Sequence, residues 1–234
     1  MFLRRLRLAA FMVLAVSVCL GAFAQGTVRI GIATATTGGT FFPLGTGMAA
    51  VISDFSDNVK ANAESTGGSV DNAKLVGRGD TELGLMMTDV AYNAAHGEGV
   101  FERPYPDLRG IMMGYGQMIH IVVKANSNIY SVEDLRGKRV SIGPIGSGTA
   151  NLSEALFQAA GIWGDFTAAY LTHDEETLAL GDGRIDAATY VIGLPAAAVT
   201  EFVASHPARF IPVTDELIAK VQETRPFFVS MPIP

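Results

Sequence analysis

Three short segments combine glycine with hydroxyl side chains: Thr37-Gly38-Gly39-Thr40, Thr66-Gly67-Gly68-Ser69 and Ser147-Gly148-Thr149. Glycine lets a ligand approach the backbone closely, because no Cβ stands in the way. Ser and Thr add hydroxyl donors. Where such a loop runs into a helix, the first turn offers unpaired N–H groups and the positive end of the helix dipole. Together these seat an anionic group without a nearby arginine. The same residues also make ordinary helix caps, since Thr and Ser are common at N-caps. Recurrence of the pattern at matching strand-to-helix joints favours a ligand over a simple cap.

Other chemistries lack their residues. The chain has no G-x-x-x-x-G-K-[ST] phosphate loop and no G-x-G-x-x-G opening a helix after a strand. It has no G-x-S-x-G nucleophile elbow either, because Ile145-Gly146 before Ser147 breaks the spacing. His96, His120, His173 and His206 are scattered and form no metal-type pair, so they read as surface or structural residues. Asp174-Glu175-Glu176 reads as a charge run that faces solvent or opens a helix capped by Thr172. Asp89 stands out because it sits at a strand end, where it either caps the helix beginning near Val90 or faces the ligand. Phe41-Phe42 is either core packing or an apolar wall of the cleft, and Trp163 reads as packing.

The elements around these loops alternate. Val28–Ala33 is a β-branched strand, followed by a helix over Pro43–Phe55. Val59–Glu64 is a second strand and Asp71–Gly77 a second helix; Leu83–Met87 is a third strand and Asp89–His96 a third helix. The polar loops 36–42, 65–72 and 88–92 fall at the carboxyl ends of these strands, where open α/β sheets bind ligands. Leu108–Lys124, interrupted by Gly114 and Gly116, reads as a strand crossing into a second lobe. The same grammar then resumes. Val132–Leu135 is a helical turn, Lys138–Gly143 a strand, Pro144–Thr149 a loop, and Ala150–Ala160 a helix closed by Gly161.

Composition narrows the class. The 234 residues are 49% hydrophobic and 17% charged, which excludes a disordered chain. A net charge of −6 argues against a non-specific nucleic-acid binder, and one cysteine excludes a disulfide framework or a cysteine metal cluster. Residues 1–24 have a basic start (Arg4, Arg5, Arg7), an apolar run from Leu8 to Leu20 and an A-x-A signal at Ala22-Phe23-Ala24. This is the pattern of a secretory signal peptide cleaved after Ala24, and its apolar run is shorter than the ~20 residues of a membrane span. Cleavage removes three arginines, no acid and the single cysteine, so −6 becomes −9. A cysteine-free mature chain suits an oxidising compartment such as a periplasm.

Ala33–Gly45 (ATATTGGTFFPLG), Thr66-Gly67-Gly68-Ser69 with Asn72, Asp134–Val140 through Gly146–Thr149, and Gly183–Ala187 with Gly193-Leu194-Pro195 resemble the TAXI-family solute receptors of TRAP transporters. The resemblance covers nearly all of residues 27–234. It implies a two-lobed α/β fold of the type II periplasmic-binding-protein kind, with mostly parallel sheets, flanking helices and a central cleft. The lobes would be residues 25–115 and 116–226, with the crossover near 114–120. It implies a periplasmic receptor, monomeric and free of cofactors. This receptor would bind a small organic anion (a glutamate-like amino acid, a dicarboxylate or a 2-oxoacid) and pass it to a fused TRAP permease. By position, the contacts would be Thr37, Gly38, Gly39, Thr40, Phe41, Phe42, Thr66, Ser69, Asn72 and Asp89 in the first lobe, and Ser147, Gly148, Thr149 and Tyr190 in the second. The first loop departs from the family, because Ala33-Thr34-Ala35-Thr36 stands where the family often has glycines. Residues 227–234 read as the strand returning to the first lobe. Family members continue for several tens of residues beyond that point, so the last part of the first lobe is expected to be missing here. Two other readings share the fold: the ligand-sensing ectodomain of a signalling protein, and an enzyme using Asp89 or a histidine.

Overall fold

A computed structural model describes residues 26–231, and the expected export segment lies outside the described residues. In the first lobe, strand β1 (Val28–Ala33) leads into helix α1 (Phe41–Asp54), β2 (Val59–Glu64) into α2 (Ser69–Arg78), and β3 (Leu83–Gly84) into α3 (Thr88–His96). The three strands form a parallel sheet in the order β2-β1-β3, with Val28 opposite Val59 and Ile32 opposite Leu83. Val70, Ala73, Val90 and Ala94 from α2 and α3 pack with Phe101 and Tyr105 to make the core of this lobe.

The second lobe is built on β4 (Met118–Lys124), β5 (Arg139–Ser141), β6 (Thr167–Ala169), β7 (Ala187–Ile192) and β8 (Ala208–Phe210). Its helices are α4 (Gly148–Ala159), α5 (His173–Gly181), α6 (Ala197–Ser205) and α7 (Asp215–Thr224). A 3-10 turn covers Glu133–Leu135. The sheet order is β6-β5-β7-β4-β8. All six residues of β7 are buried. Successive strand residues face opposite ways. Ala187 and Val191 therefore join Ile121, Leu156 and Val221 on one face, while Ala188, Tyr190 and Ile192 join Val122, Leu180 and Phe202 on the other.

The structure corrects several sequence expectations. Strand β4 runs antiparallel to both β7 and β8, so only the β6-β5-β7 part of this sheet is parallel. The expected strand over 108–124 is confined to Met118–Lys124. The apolar stretch before it has no strand partner, and Ile111, Met112 and Met113 are 73–82% exposed. The third strand shortens to two residues. Residues 227–231 form no strand, and 232–234 lie outside the described residues. Phe227 nevertheless returns to the first lobe, where its ring lies 4.9 Å from that of Tyr92 on α3.

Candidate functional site

The strand carboxyl ends of the two sheets face each other across a cleft. Thr40 stands at the N-cap of α1, Gly68 at that of α2, Met87 at that of α3 and Ser147 at that of α4, while His173 begins α5. All five line the cleft, along with Ala35, Gly39, Phe41, Gln117 and Ile192. Five helix N-termini therefore converge on one space, each with a partial positive charge and first-turn N–H groups. Among the described residues, the lining contains no lysine, arginine, aspartate or glutamate, and His173 is its one ionisable side chain.

The lobes touch across this space, which leaves about 30 Å³ free, room for two or three waters. The backbone N–H groups of Val70 and Asp71, in the first turn of α2, both donate to the carbonyl of Gly146 from the second lobe, at 2.9 and 3.3 Å. Gly146 has φ +79°, and a Cβ there would lie 2.5 Å from Asp71 Oδ1, so glycine is what permits this approach. Thr37 donates to Asp174 Oδ2 at 2.9 Å, the N–H of Gly193 donates to Thr40 Oγ1 at 3.3 Å, and Asn151 Nδ2 donates to Asp89 Oδ2 at 3.1 Å.

The residues singled out from the sequence fall into three groups. Gly39, Thr40, Phe41, Ser69, Ser147, Gly148 and Thr149 line the cleft. Thr37 and Gly38 sit at its rim against Asp174. Phe42, Thr66, Asn72, Asp89 and Tyr190 lie off the lining. Asn72 is fully buried and donates through Nδ2 to the carbonyls of Thr34 and Leu85, both at 2.6 Å, which ties the end of β1 to the segment after β3. Its Oδ1 accepts the Thr66 hydroxyl at 2.6 Å, and Thr66 in turn accepts the N–H of Gly68 at 3.1 Å. Asn72 and Thr66 thus shape the second loop from behind. Asp89 borders a separate hollow of about 380 Å³ with Tyr92, Glu98 and Arg225. Its Oδ1 has no hydrogen-bond partner, and burial pushes its carboxyl above the usual range. Tyr190 is buried behind His173, with ring centres 5.4 Å apart, and burial pushes its phenol up.

The sequence allowed a helix opened by Asp174-Glu175-Glu176 and capped by Thr172, and α5 begins in that way, but sequence reasoning missed the inward-facing pair His173 and Glu176. Thr172 and Glu175 form a capping box, as a Ser/Thr-x-x-Glu pattern allows. Glu176 does not face solvent, because its side chain is fully buried. It accepts Ser141 Oγ at 2.7 Å and pairs with His173 Nδ1 at 2.8 Å. Burial raises the Glu176 carboxyl, while the contacts with His173 and Ser141 pull it the other way. The available signal was the spacing of His173 and Glu176 three apart, which puts both on one helix face. Among the described residues, no group of three or more His, Cys, Asp or Glu is placed to hold a metal ion. Nor is any described helix long and apolar enough to cross a membrane.

Two α/β lobes with a cleft at the strand carboxyl ends define the type II periplasmic-binding-protein fold. Residues 32–234 match the NMT1-like family, and the chain belongs to that family. Solved structures share the fold. An alkanesulfonate-binding protein from Xanthomonas axonopodis pv. citri, bound to MOPS, is 19% identical with a TM-score of 0.55, over 80% of this chain and 61% of that one. The binding component of a phosphonate ABC transporter from Pseudomonas aeruginosa is 13% identical with a TM-score of 0.56, over 84% of this chain and 73% of that one. An ancestral arginine-binding protein bound to arginine is 16% identical with a TM-score of 0.52, over 86% of this chain and 93% of that one. The chain thus spans about three fifths of the alkanesulfonate-binding protein.

Proposed function

We propose that the protein is an extracytoplasmic solute receptor that captures a small organic anion and hands it to a membrane permease. The observation that carries this reading is the convergence of five helix N-termini on a cleft whose lining holds no acidic side chain. Such a site attracts negative charge locally even though the whole chain is acidic. The ligand's acidic group takes the first-turn N–H groups and hydroxyls of α2 and α4 (Ser69, Ser147, Gly148, Thr149). Phe41, Met87, Val191 and Ile192 cover a short apolar body. Hinge motion of one lobe against the other admits the ligand and then excludes water. No covalent step is needed, so binding and delivery rather than catalysis suit the site.

Among the neighbours, the sulfonate- and phosphonate-related proteins suit such a cleft better than the arginine-binding one. The loop sequence Thr37–Gly45 supports a TRAP-type permease and a carboxylate ligand, whereas the ABC-transporter neighbours support an ABC-type partner and leave sulfonates open. A thermal-shift and calorimetric screen of the full chain tests the reading, with glutamate, succinate, 2-oxoglutarate and methanesulfonate at millimolar concentration and arginine as the cationic control. At least one acid raises the melting temperature and arginine does not. Failure of every acid, or a stronger response to arginine, rejects the anion reading.

A further inference from the structure

The cleft has no lysine or arginine, yet the proposed ligand is an anion, and it has one ionisable side chain in its wall. That side chain, His173, is 5% exposed and held in one orientation. Its Nδ1 lies 2.8 Å from Glu176 Oε2, and Glu176 Oε1 accepts the Ser141 hydroxyl at 2.7 Å. With Glu176 ionised, both of its oxygens are used as acceptors, and the ring proton then sits on Nδ1 and is donated to Glu176. The opposite edge of the ring faces the first lobe: a Cβ built on Gly39 would stand 3.4 Å from His173 Cδ2 and 3.9 Å from Nε2. Among the described residues, the ring's hydrogen bond is the one at Nδ1.

This geometry fixes what Nε2 can do. In the neutral ring, with its proton on Nδ1, Nε2 carries a lone pair and can only accept. A ligand carboxylate or sulfonate oxygen is also only an acceptor, so the two repel. Once Nε2 takes a proton, the ring becomes a cation that donates to the anion, with the buried Glu176 carboxylate balancing it from behind. We infer that His173, clamped by Glu176, meets the ligand's acidic oxygen through Nε2, and that binding carries one proton onto that nitrogen. The inference rests on the proposed function and deepens it: the receptor takes up an anion together with a proton, as a neutral pair. Glu176 is a positioning residue, since it acts only through His173.

The groups around the ring are few. On its own helix, Asp174 lies at the rim and accepts the Thr37 hydroxyl, and Glu176 lies behind. From β7, Tyr190 packs 5.4 Å away, and burial pushes its phenol up, so it stays neutral at ordinary pH. The first-lobe loop facing the ring (Thr36 to Thr40) brings no charge. Among the described residues, these are the ionisable groups beside the ring.

Calorimetry on the full chain tests this, using whichever of glutamate or methanesulfonate binds, since both keep their charge between pH 6 and 8. In phosphate and in Tris at one pH, the difference in binding heat reads proton uptake, expected at roughly one proton toward the upper end of that range. Affinity should tighten by up to about tenfold per unit as pH falls from 8. His173→Gln should abolish both the uptake and the slope. Glu176→Gln should shift the same slope to lower pH, because the imidazolium loses its counter-charge. A purely structural role would lower affinity equally at every pH. If the unaltered chain binds the acid with no proton uptake, the inference is wrong even where His173→Gln fails to fold. If His173→Gln folds and keeps the slope, the inference is wrong while the receptor reading stands. If neither acid binds, the inference falls, and the receptor reading falls with it only where succinate and 2-oxoglutarate fail as well.

Discussion

Asp89 and Asn72 show how a polar residue near a binding loop can act without facing the ligand. Asn72 answers two backbone carbonyls and a hydroxyl, and removing it would leave buried acceptors without partners. Asp89 is buried, which raises its pKa, while the bond from Asn151 to one of its oxygens pulls the other way and its second oxygen has no partner. The sign of its effect on stability follows. The folded state holds the proton more tightly than the unfolded chain, so Asp89 destabilises the fold as pH rises from the ordinary carboxylate range through its raised folded value. Asp89→Asn should therefore raise the melting temperature at pH 7 relative to the parent chain, with the gap closing toward pH 4. Melting curves across that range check it, and a gap that widens in acid would refute it. Asp89 stands out in the sequence for its place at a strand end, and Asn72 for its place in a loop that resembles the family's second loop. Sequence position gives the neighbourhood of a side chain but not its direction, and burial decides the direction. His173 shows the converse. A lone histidine in a charge run gives no hint of a cleft until Glu176, one helical turn later, is seen to be buried.

At the scale of elements, the β-loop-α rhythm of the first lobe was readable because each unit is short and locally specified. β2 matches its expected range, Val59–Glu64, and α3 begins one residue early. The crossover differs from its expected strand because apolarity alone does not make a strand. Strands also need a partner, and residues 108–117 have none among the described residues, whereas Met118–Lys124 pairs on both sides. The antiparallel placement of β4 is likewise set by distant partners, so local pattern does not reveal it. The loop before α4 holds the lobes together through one carbonyl, and it does so only because Gly146 has φ +79°. Gly146→Ala adds a Cβ against Asp71 in a conformation that L side chains avoid. Stability should fall by about 1–2 kcal/mol in urea unfolding. The radius of gyration by small-angle scattering should rise as the contact loosens. An unchanged radius would show that Gly146 does not hold the lobes together.

For the whole molecule, the two lobes are unequal. Among the described residues, the second has two core clusters on opposite faces of a five-stranded sheet, while the first has three strands and one smaller core cluster of six buried residues. Regions with fewer buried apolar contacts open more readily. Hydrogen exchange followed by mass spectrometry should find β4 and β7 slowest to exchange, with β1 to β3 clearly faster. Equal protection in the two sheets would mean that the lobes open as one unit. The Gly146 carbonyl has a further consequence. It occupies the amides of Val70 and Asp71 that an incoming acid would use, so binding is an exchange of one acceptor for another. A measured dissociation constant then reports intrinsic affinity divided by the fraction of molecules whose loop has let go. The resident acceptor is a neutral dipole and the incoming one a full charge. Dissolved salt weakens the newcomer's hold far more than that of the loop, so the balance between them depends on the ionic strength of the surroundings.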